Sequence, residues 1–421
     1  MPPPPGTGSP LQPGRGRLAT PLQCLQVRFG NLTGQLSGSQ PLNDYRVLVI
    51  GPRRGLVDVL HRRQIPFSIW QEKAGSGWPE AEQLVTAPLW KSTDRIKQTL
   101  QREFAGTRCT HVIAGTEAAI YPAAIARRML GARRSETTTA LRCRDKLAMK
   151  EYLCDFGIPM TKFLPESAAT DATAVFAALG SPVVKKSRKS SGGKTLEIIH
   201  REDQLLLQHG SRNILEKFVA APEASIESFI NNGSIQFTNI TEYHEKGFVN
   251  FVPAAFDAAL TAAIQALNRS VIEALKIRWG ITHLEVYLTR KGLLFGEIAL
   301  RPPGGYIMNA MHHAYGFNPW EAFVAMELDT AFEFPVHPRA YAAVEVFHPG
   351  AGTVNAVRGE AQVREHSSTR EFRLKVRPGA AITRREGVGQ DTGYLLYCSD
   401  SPAARLARHN TLQQEFAIEI A

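Results

Sequence analysis

The sequence predicts a protein of mixed class, in which an α/β unit is followed by an α+β fold. Three observations carry this prediction. Short apolar strands alternate with helices between about residues 44 and 135, paired strands dominate from about 182 to 300, and the chain is β-rich again beyond about 340. Strands that alternate with helices are typical of an open, mostly parallel sheet, whereas consecutive short strands separated by turn residues are typical of hairpins.

The N-terminal unit begins with YRVLVIG, an apolar run ending at Gly51 that is typical of a buried parallel strand. We predict further strands at residues 66–70 and 110–115, and therefore a Rossmann-like domain over residues 44–135. Residues 1–43 are rich in Pro and Gly and are expected to be disordered. Residues 137–163 are predicted to form one long helix, stopped at Gly157.

The charge of the chain indicates an anionic ligand. The formal net charge of +10 suits nucleotides, phosphates, nucleic acids or anionic membranes. Because Lys and Arg are spread along the chain and no nucleic-acid-binding motif is visible, we expect a basic cleft for ATP and no nucleic acid. No apolar run approaches the ~20 residues of a membrane span, so no membrane association is expected. The five cysteines form no CxxC pair, which favours a cytoplasmic location.

Residues 283–301, HLEVYLTRKGLLFGEIALR, predict a hairpin that carries two acids. A turn near Arg290 and Lys291 places Glu285 almost opposite Glu297, and carboxylates so close repel unless a cation lies between them. Mg²⁺ or Mn²⁺, completed by phosphate oxygens, fits this pair. Arg301 projects from the same face, where it can stabilise a phosphate or an oxyanion. The alternative is an ordinary amphipathic hairpin with solvated charges.

The segment SPVVKKSRKSSGGKT, residues 181–195, predicts an apolar strand followed by a phosphate-binding loop. It lacks the GxxxxGK[ST] spacing of a Walker-type loop. Lys185 and Lys186 are adjacent on a strand and face opposite sides, so only one can face the nucleotide; we choose Lys186. The alternative is a flexible basic surface loop. The other candidates for phosphate contacts are Ser190, Ser191, Gly192 and Gly193, with Arg188 and Lys194 secondary.

In this order the motifs resemble the ATP-grasp superfamily, especially the carboxylate–amine ligases that include L-amino acid ligases, over residues 45–421. The resemblance implies an ATP-grasp domain at 136–335 with a flexible lid lobe at about 160–218, and a β-rich C-terminal segment at 336–421. It assigns the first ATP-binding lysine to Lys146, in RDKLAMKEYLCDFGIP, and the ribose-binding acid to Glu223. It also places the adenine-binding stretch on Glu216, Lys217, Phe218 and Val219.

The resemblance further implies that Glu285 and Glu297 are the metal ligands and that Lys186 and Arg301 are catalytic. The family's Asn ligand corresponds here to Ala299, which weakens the expectation of a second metal ion. The remaining candidates are assigned to the substrates. They are His283, His312 and His313 for a role with the amine, and Gly304 and Gly305 for binding a carboxylate through their N–H groups.

The reaction implied by the resemblance joins a small carboxylate to an amine at the expense of ATP. ATP and Mg²⁺ or Mn²⁺ are the expected cofactors. The resemblance suggests a homodimer, although the sequence does not fix the oligomeric state. Three alternatives remain: an ATP-grasp carboxylase that uses bicarbonate, a thioester-forming ligase, and a non-catalytic nucleotide-binding protein. A dehydrogenase is disfavoured because Gly51–Gly55 lacks the GxGxxG spacing.

Overall fold

The computed structural model describes residues 44–421 except 76, 90, 91, 135, 191, 193–195, 209 and 388. The expected disorder of residues 1–43 therefore lies outside the described residues, as do the candidates Ser191, Gly193 and Lys194. Within the described residues, none of the helices combines the length and the apolar character that crossing a membrane requires.

The N-terminal unit is a four-stranded parallel sheet in the order β3-β2-β1-β4, as predicted for an α/β domain. The strand between residues 83 and 86 was not predicted, because QLVT is short and lies at the sheet edge. Since β2 and β4 flank β1 on opposite sides, the strand order changes direction between β1 and β4. The elements are β1 (Val47–Ile50), α1 (Arg54–Arg62), β2 (Phe67–Gln71), β3 (Gln83–Thr86), α2 (Thr93–Glu103), β4 (His111–Ala114) and α3 (Ile120–Met129).

The predicted long helix over 137–163 is wrong, because Asp145 divides it into α4 (Thr137–Arg144) and α5 (Lys146–Cys154). Asp145 has extended backbone angles, and its carboxylate accepts hydrogen bonds from the N–H groups of Leu147 and Ala148 at 3.2 and 3.4 Å. Such an N-cap satisfies N–H groups that have no partner inside the helix. Lys146 consequently begins a new helix.

A small antiparallel sheet in the order β5-β8-β6-β7 forms the lobe that is predicted to be a flexible lid, called the lid lobe below; its movement stays a prediction. It has its own apolar core, which includes Val175, Val183 and Leu215. The lobe therefore has the internal packing that allows it to behave as a separate unit. Its elements are β5 (Phe163–Pro165), α6 (Ala172–Leu179), β6 (Val183–Ser187), β7 (Glu197–Ile199) and β8 (Asn213–Lys217).

An eight-stranded sheet in the order β13-β12-β9-β10-β11-β14-β18-β16 carries the predicted hairpin at one edge. Helix α7 shares a core with Ile226 and Leu284, whereas α8 and α9 share another with Phe229 and Ile281. The elements are β9 (Glu223–Asn231), β10 (Ser234–Glu245), β11 (Val249–Val252), α7 (Ala258–Ala274), β12 (Gly280–Thr289), β13 (Gly292–Ala299), α8 (Ile307–Tyr315), α9 (Pro319–Leu328), β14 (Tyr341–Phe347), β16 (Thr369–Leu374) and β18 (Gly393–Ser399).

The end of the chain adds a third antiparallel sheet, in the order β17-β15-β19. The predicted helix near residues 403–414 is present as the last of the helices. These elements are β15 (Gly352–Arg358), α10 (Glu360–Glu365), β17 (Ala381–Ile382), α11 (Pro402–Glu415) and β19 (Ala417–Ile420).

Candidate active site

The hairpin of β12 and β13 brings two acids directly opposite each other. Glu285 pairs in register with Glu297, so the predicted opposition is confirmed, while their role as metal ligands stays a prediction. The register shifts after Glu285, where Gly296 lies against the Glu285 backbone; a Cβ at Gly296 would be 3.0 Å from the Glu285 carbonyl oxygen. Gly296 therefore allows the two strands to approach closely beside the acids.

Lys146 connects this hairpin to the phosphate loop. Its Nζ lies 3.2 Å from a carboxylate oxygen of Glu297 and donates to the Ser190 carbonyl oxygen at 2.8 Å. The loop is also held from the helix junction, because Arg188 forms two hydrogen bonds of 2.8 Å to Asp145. Of the other loop candidates, Gly192 is exposed. Breaking the helix at Asp145 thus places Lys146 between the acids and the loop.

Lys186 and Lys150 share the buried carboxylate of Glu216. The Nζ of Lys186 is 3.1 Å from one oxygen and that of Lys150 is 3.6 Å from the other. Burial lowers the pKa of Lys150 and opposes ionisation of Glu216, but the two lysines hold the pKa of Glu216 below its ordinary value. The Glu216 side chain therefore positions both lysines, and its place in the adenine-binding stretch stays a prediction. Lys150 was missed in the sequence, although its position four residues after Lys146 places both on one helix face.

Lys185 faces the other side of β6, as strand alternation predicts. Its Nζ donates to Glu166 at 2.8 Å and to the Leu206 carbonyl oxygen at 2.7 Å, within the lid lobe. Glu166 is fully enclosed and also accepts from Asn213 at 2.9 Å. Lys186 is thus the lysine on the side of Glu216, and contact of Lys186 with ATP remains the prediction.

Replacing Lys186 and Lys185 separately by Ala tests this assignment. We expect Lys186→Ala to raise KM for ATP about 10- to 100-fold, since a hydrogen bond to a charged group contributes roughly 1.5–3 kcal/mol. Lys185→Ala is the matched control; it should destabilise the fold, because it leaves the Glu166 carboxylate without its cation, but leave KM for ATP unchanged. Steady-state kinetics and urea unfolding measure the two effects. If only Lys185→Ala weakens ATP binding, Lys186 is the wrong choice.

The adenine-binding stretch at the end of β8 uses part of its backbone within the protein. The Lys217 N–H donates to the Lys162 carbonyl oxygen at 2.9 Å, and the Phe218 N–H donates to that of Pro182 at 3.1 Å. The candidates for adenine are therefore the Phe218 carbonyl and the backbone of Val219. Glu223, the predicted ribose ligand, lies at the start of β9 and pairs with Lys246.

A buried polar network of His283 and Glu227 lies beside Glu285. His283 Nδ1 lies 2.8 Å from Glu227, which is fully buried, and its Nε2 lies 3.6 Å from Glu285. Burial by itself would lower the pKa of His283, but hydrogen bonds to Glu227 and Glu285 raise it to about 9. Burial likewise opposes ionisation of Glu285, yet His283 lowers that pKa to about 2. His283 therefore belongs to the polar network that supports Glu285, and its role with the amine stays a prediction.

Glu227 was not predicted from the sequence. The only local signal is an acid between apolar residues of the strand ASIESFI. Its carboxylate also accepts hydrogen bonds from Asn239 at 2.7 Å and from Thr241 at 2.8 Å, both on β10. A buried carboxylate with this many donors is held in one orientation.

Arg301 is held by a residue of the N-terminal unit. Its Nε lies 3.1 Å from Glu117, which follows β4, and Arg144 lies 3.6 Å from the same carboxylate. Sequence reasoning missed Glu117, since only the packing of the N-terminal unit against the hairpin brings it here. The site is therefore assembled from both parts of the chain.

The remaining candidates are placed as follows. The Gly305 carbonyl accepts a hydrogen bond from Asn250 at 3.1 Å, and the Gly304 carbonyl accepts one from the Ile307 N–H. Gly305 has φ +58, and a Cβ there would lie 2.9 Å from the Asn250 amide nitrogen. His312 and His313 are engaged with the Phe317 carbonyl at 2.7 Å and with Glu371 at 3.0 Å. These contacts hold the two histidines on α8, and their role with the amine stays a prediction.

The acids fit a hard divalent cation that is completed by phosphate. No group of three or more His, Cys, Asp or Glu side chains suited to a metal occurs in the described part of the chain. Two opposed carboxylates suffice for Mg²⁺ or Mn²⁺ when phosphate oxygens and water supply the other ligands. Ala299 is buried opposite His283 and offers no ligand atom.

Comparison with protein families agrees with this arrangement. Residues 151–313 match the model of the ATP-grasp domain. The chain carries an ATP-grasp domain. The match includes Glu216, Glu285, Glu297 and Arg301, and begins after Lys146 and Lys150. Both opposed acids, Lys186 and the loop after β6 therefore lie within the matched domain.

Curated relatives match half or more of this chain. The chain is 32% identical over 232 residues to the L-arginine-specific L-amino acid ligase of Bacillus subtilis. The aligned region makes up 50% of this chain and 56% of that protein. It therefore spans about half the length of the curated relatives it matches.

Solved structures have the same ATP-grasp fold across nearly the whole described chain. The L-amino acid ligase from Bacillus licheniformis superposes with a TM-score of 0.76 at 19% identity and covers 90% of this chain and 99% of its own. Carboxyaminoimidazole ribonucleotide synthase from Asperigillus clavatus, solved with ATP, gives a TM-score of 0.70 at 16% identity, with 89% and 98% covered. At these sequence identities, the structural similarity shows the fold alone.

Proposed function

We propose that the protein is an ATP-dependent, ADP-forming ligase that activates a small carboxylate and couples it to an amine. The observation that carries the proposal is the opposition of Glu285 and Glu297, with Lys146 paired to Glu297 at 3.2 Å. Two opposed carboxylates beside a lysine are the groups needed to hold a nucleoside triphosphate through a metal ion and lysines. The 32% identity to an amino acid ligase supports amide formation.

In the first step an oxygen of the substrate carboxylate attacks the γ-phosphorus of ATP. A new P–O bond forms, the bond to the β–γ bridging oxygen breaks, and ADP leaves with that electron pair. Glu285 and Glu297 would hold a Mg²⁺ or Mn²⁺ ion, which would supply positive charge to the group being transferred. Lys146 and Lys186 bind phosphate oxygens and align them, which is most of what phosphoryl transfer requires from a protein.

In the second step the nitrogen of the amine attacks the acyl carbon. The C–N bond forms, the bond from that carbon to the phosphate oxygen breaks, and phosphate leaves and can accept the proton released by the amine. Arg301, fixed by Glu117 at 3.1 Å, stabilises the oxyanion of the tetrahedral intermediate. The loop that carries Ser190 excludes water, which would otherwise hydrolyse the acyl phosphate.

A screen of ADP formation over pairs of the twenty L-amino acids, with Mg²⁺, tests the proposal. We expect one or more pairs to stimulate ADP release, with a product whose mass equals that of both substrates less one water. Single amino acids provide the control for uncoupled hydrolysis, and a parallel series contains bicarbonate. Dependence on bicarbonate would replace the proposal by carboxylation. ATP binding without stimulation by any pair would favour a nucleotide-binding protein.

A further inference from the structure

Three arginines converge where the N-terminal unit meets the loop that follows the hairpin. Arg301 and Arg53 both donate to the Pro302 carbonyl oxygen, at 2.9 and 3.1 Å, and Arg53 also donates to that of Pro303 at 2.7 Å. Arg144 reaches the same place through Glu117. Two guanidinium groups that share one carbonyl oxygen are close like charges, and a neutral carbonyl cannot neutralise them.

One carboxylate, that of Glu117, pairs with two of these three arginines. Glu117 pairs with Arg301 at 3.1 Å and with Arg144 at 3.6 Å. For Arg53, no carboxylate within the described ranges of the chain lies at ion-pair distance. Burial and the charge of Arg301 together lower the pKa of Arg53 to about 10, which is what a cation without a compensating anion shows.

The position in the fold is also one where ligands bind. Arg53 follows β1 and Glu117 follows β4, so the two residues flank the point where the strand order of the parallel sheet changes direction. In open α/β sheets, ligands bind outside the carboxyl ends of the strands at this point. The backbones of Gly51 and Gly115 pack against each other here, because a Cβ at Gly115 would collide with the Gly51 carbonyl oxygen. The two loops are thus held together beside the arginines.

The orientation of Arg53 is fixed before any ligand arrives. Its guanidinium carbon lies 4.7 Å from the centre of the Trp320 ring, and Gly55 leaves room for that ring. Stacking on Trp320 and the hydrogen bonds to two carbonyl oxygens fix the orientation of the guanidinium plane. Its remaining N–H groups are then available in a fixed fork, the geometry that suits carboxylate or phosphate oxygens.

We propose that Arg53 forms an anion-binding subsite beside Arg301, outside the carboxyl ends of β1 and β4, which holds a carboxylate or phosphate group of a substrate. Because Arg301 serves the reacting acyl group in the proposed function, Arg53 binds an anionic group additional to the carboxylate that reacts. The role of that anion rests on the proposed function; the subsite itself rests on the arginines. The ligand is thus a small molecule with an acidic group that takes no part in the reaction.

Thermal unfolding with added probes tests the subsite without turnover. The probes are the twenty L-amino acids, the corresponding amino acid amides, and inorganic phosphate, each at millimolar concentration. We expect at least one free acid to raise the Tm of the wild-type chain while its amide does not. In Arg53→Met the apparent affinity for that acid should fall at least ten-fold, and Arg53→Lys should retain part of it. Arg54→Met is the matched control, since Arg54 is the next residue but has a side chain 53% exposed.

Each outcome decides the question. If phosphate stabilises through Arg53 and no amino acid does, the subsite holds and the anion is a phosphate group. If the wild-type chain responds to no probe, or if Arg53→Met responds as the wild type does, the proposal is overturned. A residue that merely braces Pro302 and Pro303 would change the Tm without ligand but not the difference between acid and amide. Anion binding through Arg53 without ADP formation from any pair would reject the proposed function alone.

Discussion

Replacing Glu297 by Gln is expected to abolish ADP formation. The amide keeps the shape of the side chain but removes the charge that faces Glu285 in register and pairs with Lys146 at 3.2 Å. Losing one preorganised charge at a reacting phosphate costs roughly 10²–10³ in kcat, and loss of metal binding adds to this. The measurement is ADP release against Mg²⁺ concentration, with an increased Mg²⁺ requirement in whatever activity remains.

Glu273→Gln supplies the control for this substitution. Glu273 is exposed on α7, away from the hairpin turn, so its change to the amide should leave kcat and the Mg²⁺ requirement as in the wild type. A Glu297→Gln protein with near wild-type activity would show that the opposed acids do not hold the metal ion. The assignment of Glu285 as a metal ligand would then also be wrong.

Glu216→Gln is expected to produce the largest loss of stability. The substitution leaves Lys150 and Lys186 buried without the carboxylate they share at 3.6 and 3.1 Å. Breaking a buried ion pair by removing one partner costs roughly 3–5 kcal/mol, because a charge remains in the interior without compensation. Urea unfolding measures the free energy, and KM for ATP should rise because the two lysines lose their fixed positions.

The pH dependence of this effect has a definite sign. The fold depresses the pKa of Glu216, so its contribution is complete above the pKa of the unfolded chain and is lost as the pH falls through the folded value. The difference between wild type and Glu216→Gln should therefore shrink on acidification. Glu197→Gln, at an exposed position of β7 in the same lobe, is the control. A loss below about 1 kcal/mol for Glu216→Gln would contradict the buried triad.

The parts of the site that follow from local geometry could be predicted from the sequence. The opposition of Glu285 and Glu297 depends only on strand alternation and on the position of one turn. The separation of Lys185 from Lys186 follows from the same alternation. The domain match over residues 151–313 confirms the predicted resemblance to ATP-grasp domains.

The parts that depend on distant contacts could not be predicted. Glu117 reaches Arg301 across 184 positions of the sequence, and Arg53 reaches Pro302 across 249. Nothing local in the sequence sets these distances. The break at Asp145 was missed for another reason: the apolar spacing continues through it, and the cap competes with helix continuation through side-chain hydrogen bonds that spacing does not show. Burial of Glu227 likewise depends on strands that are remote in sequence.

The eight-stranded sheet has a consequence for how the chain can be divided. Strands β14, β18 and β16, from the last fifth of the sequence, continue the hydrogen-bonded ladder that starts at the acid-bearing hairpin. Cutting the chain before residue 341 would expose the backbone of β11 as a bare edge, open to pairing with other molecules. The segment from residue 341 onward is therefore an integral part of the sheet that carries the acids. It cannot be exchanged between relatives as an independent module.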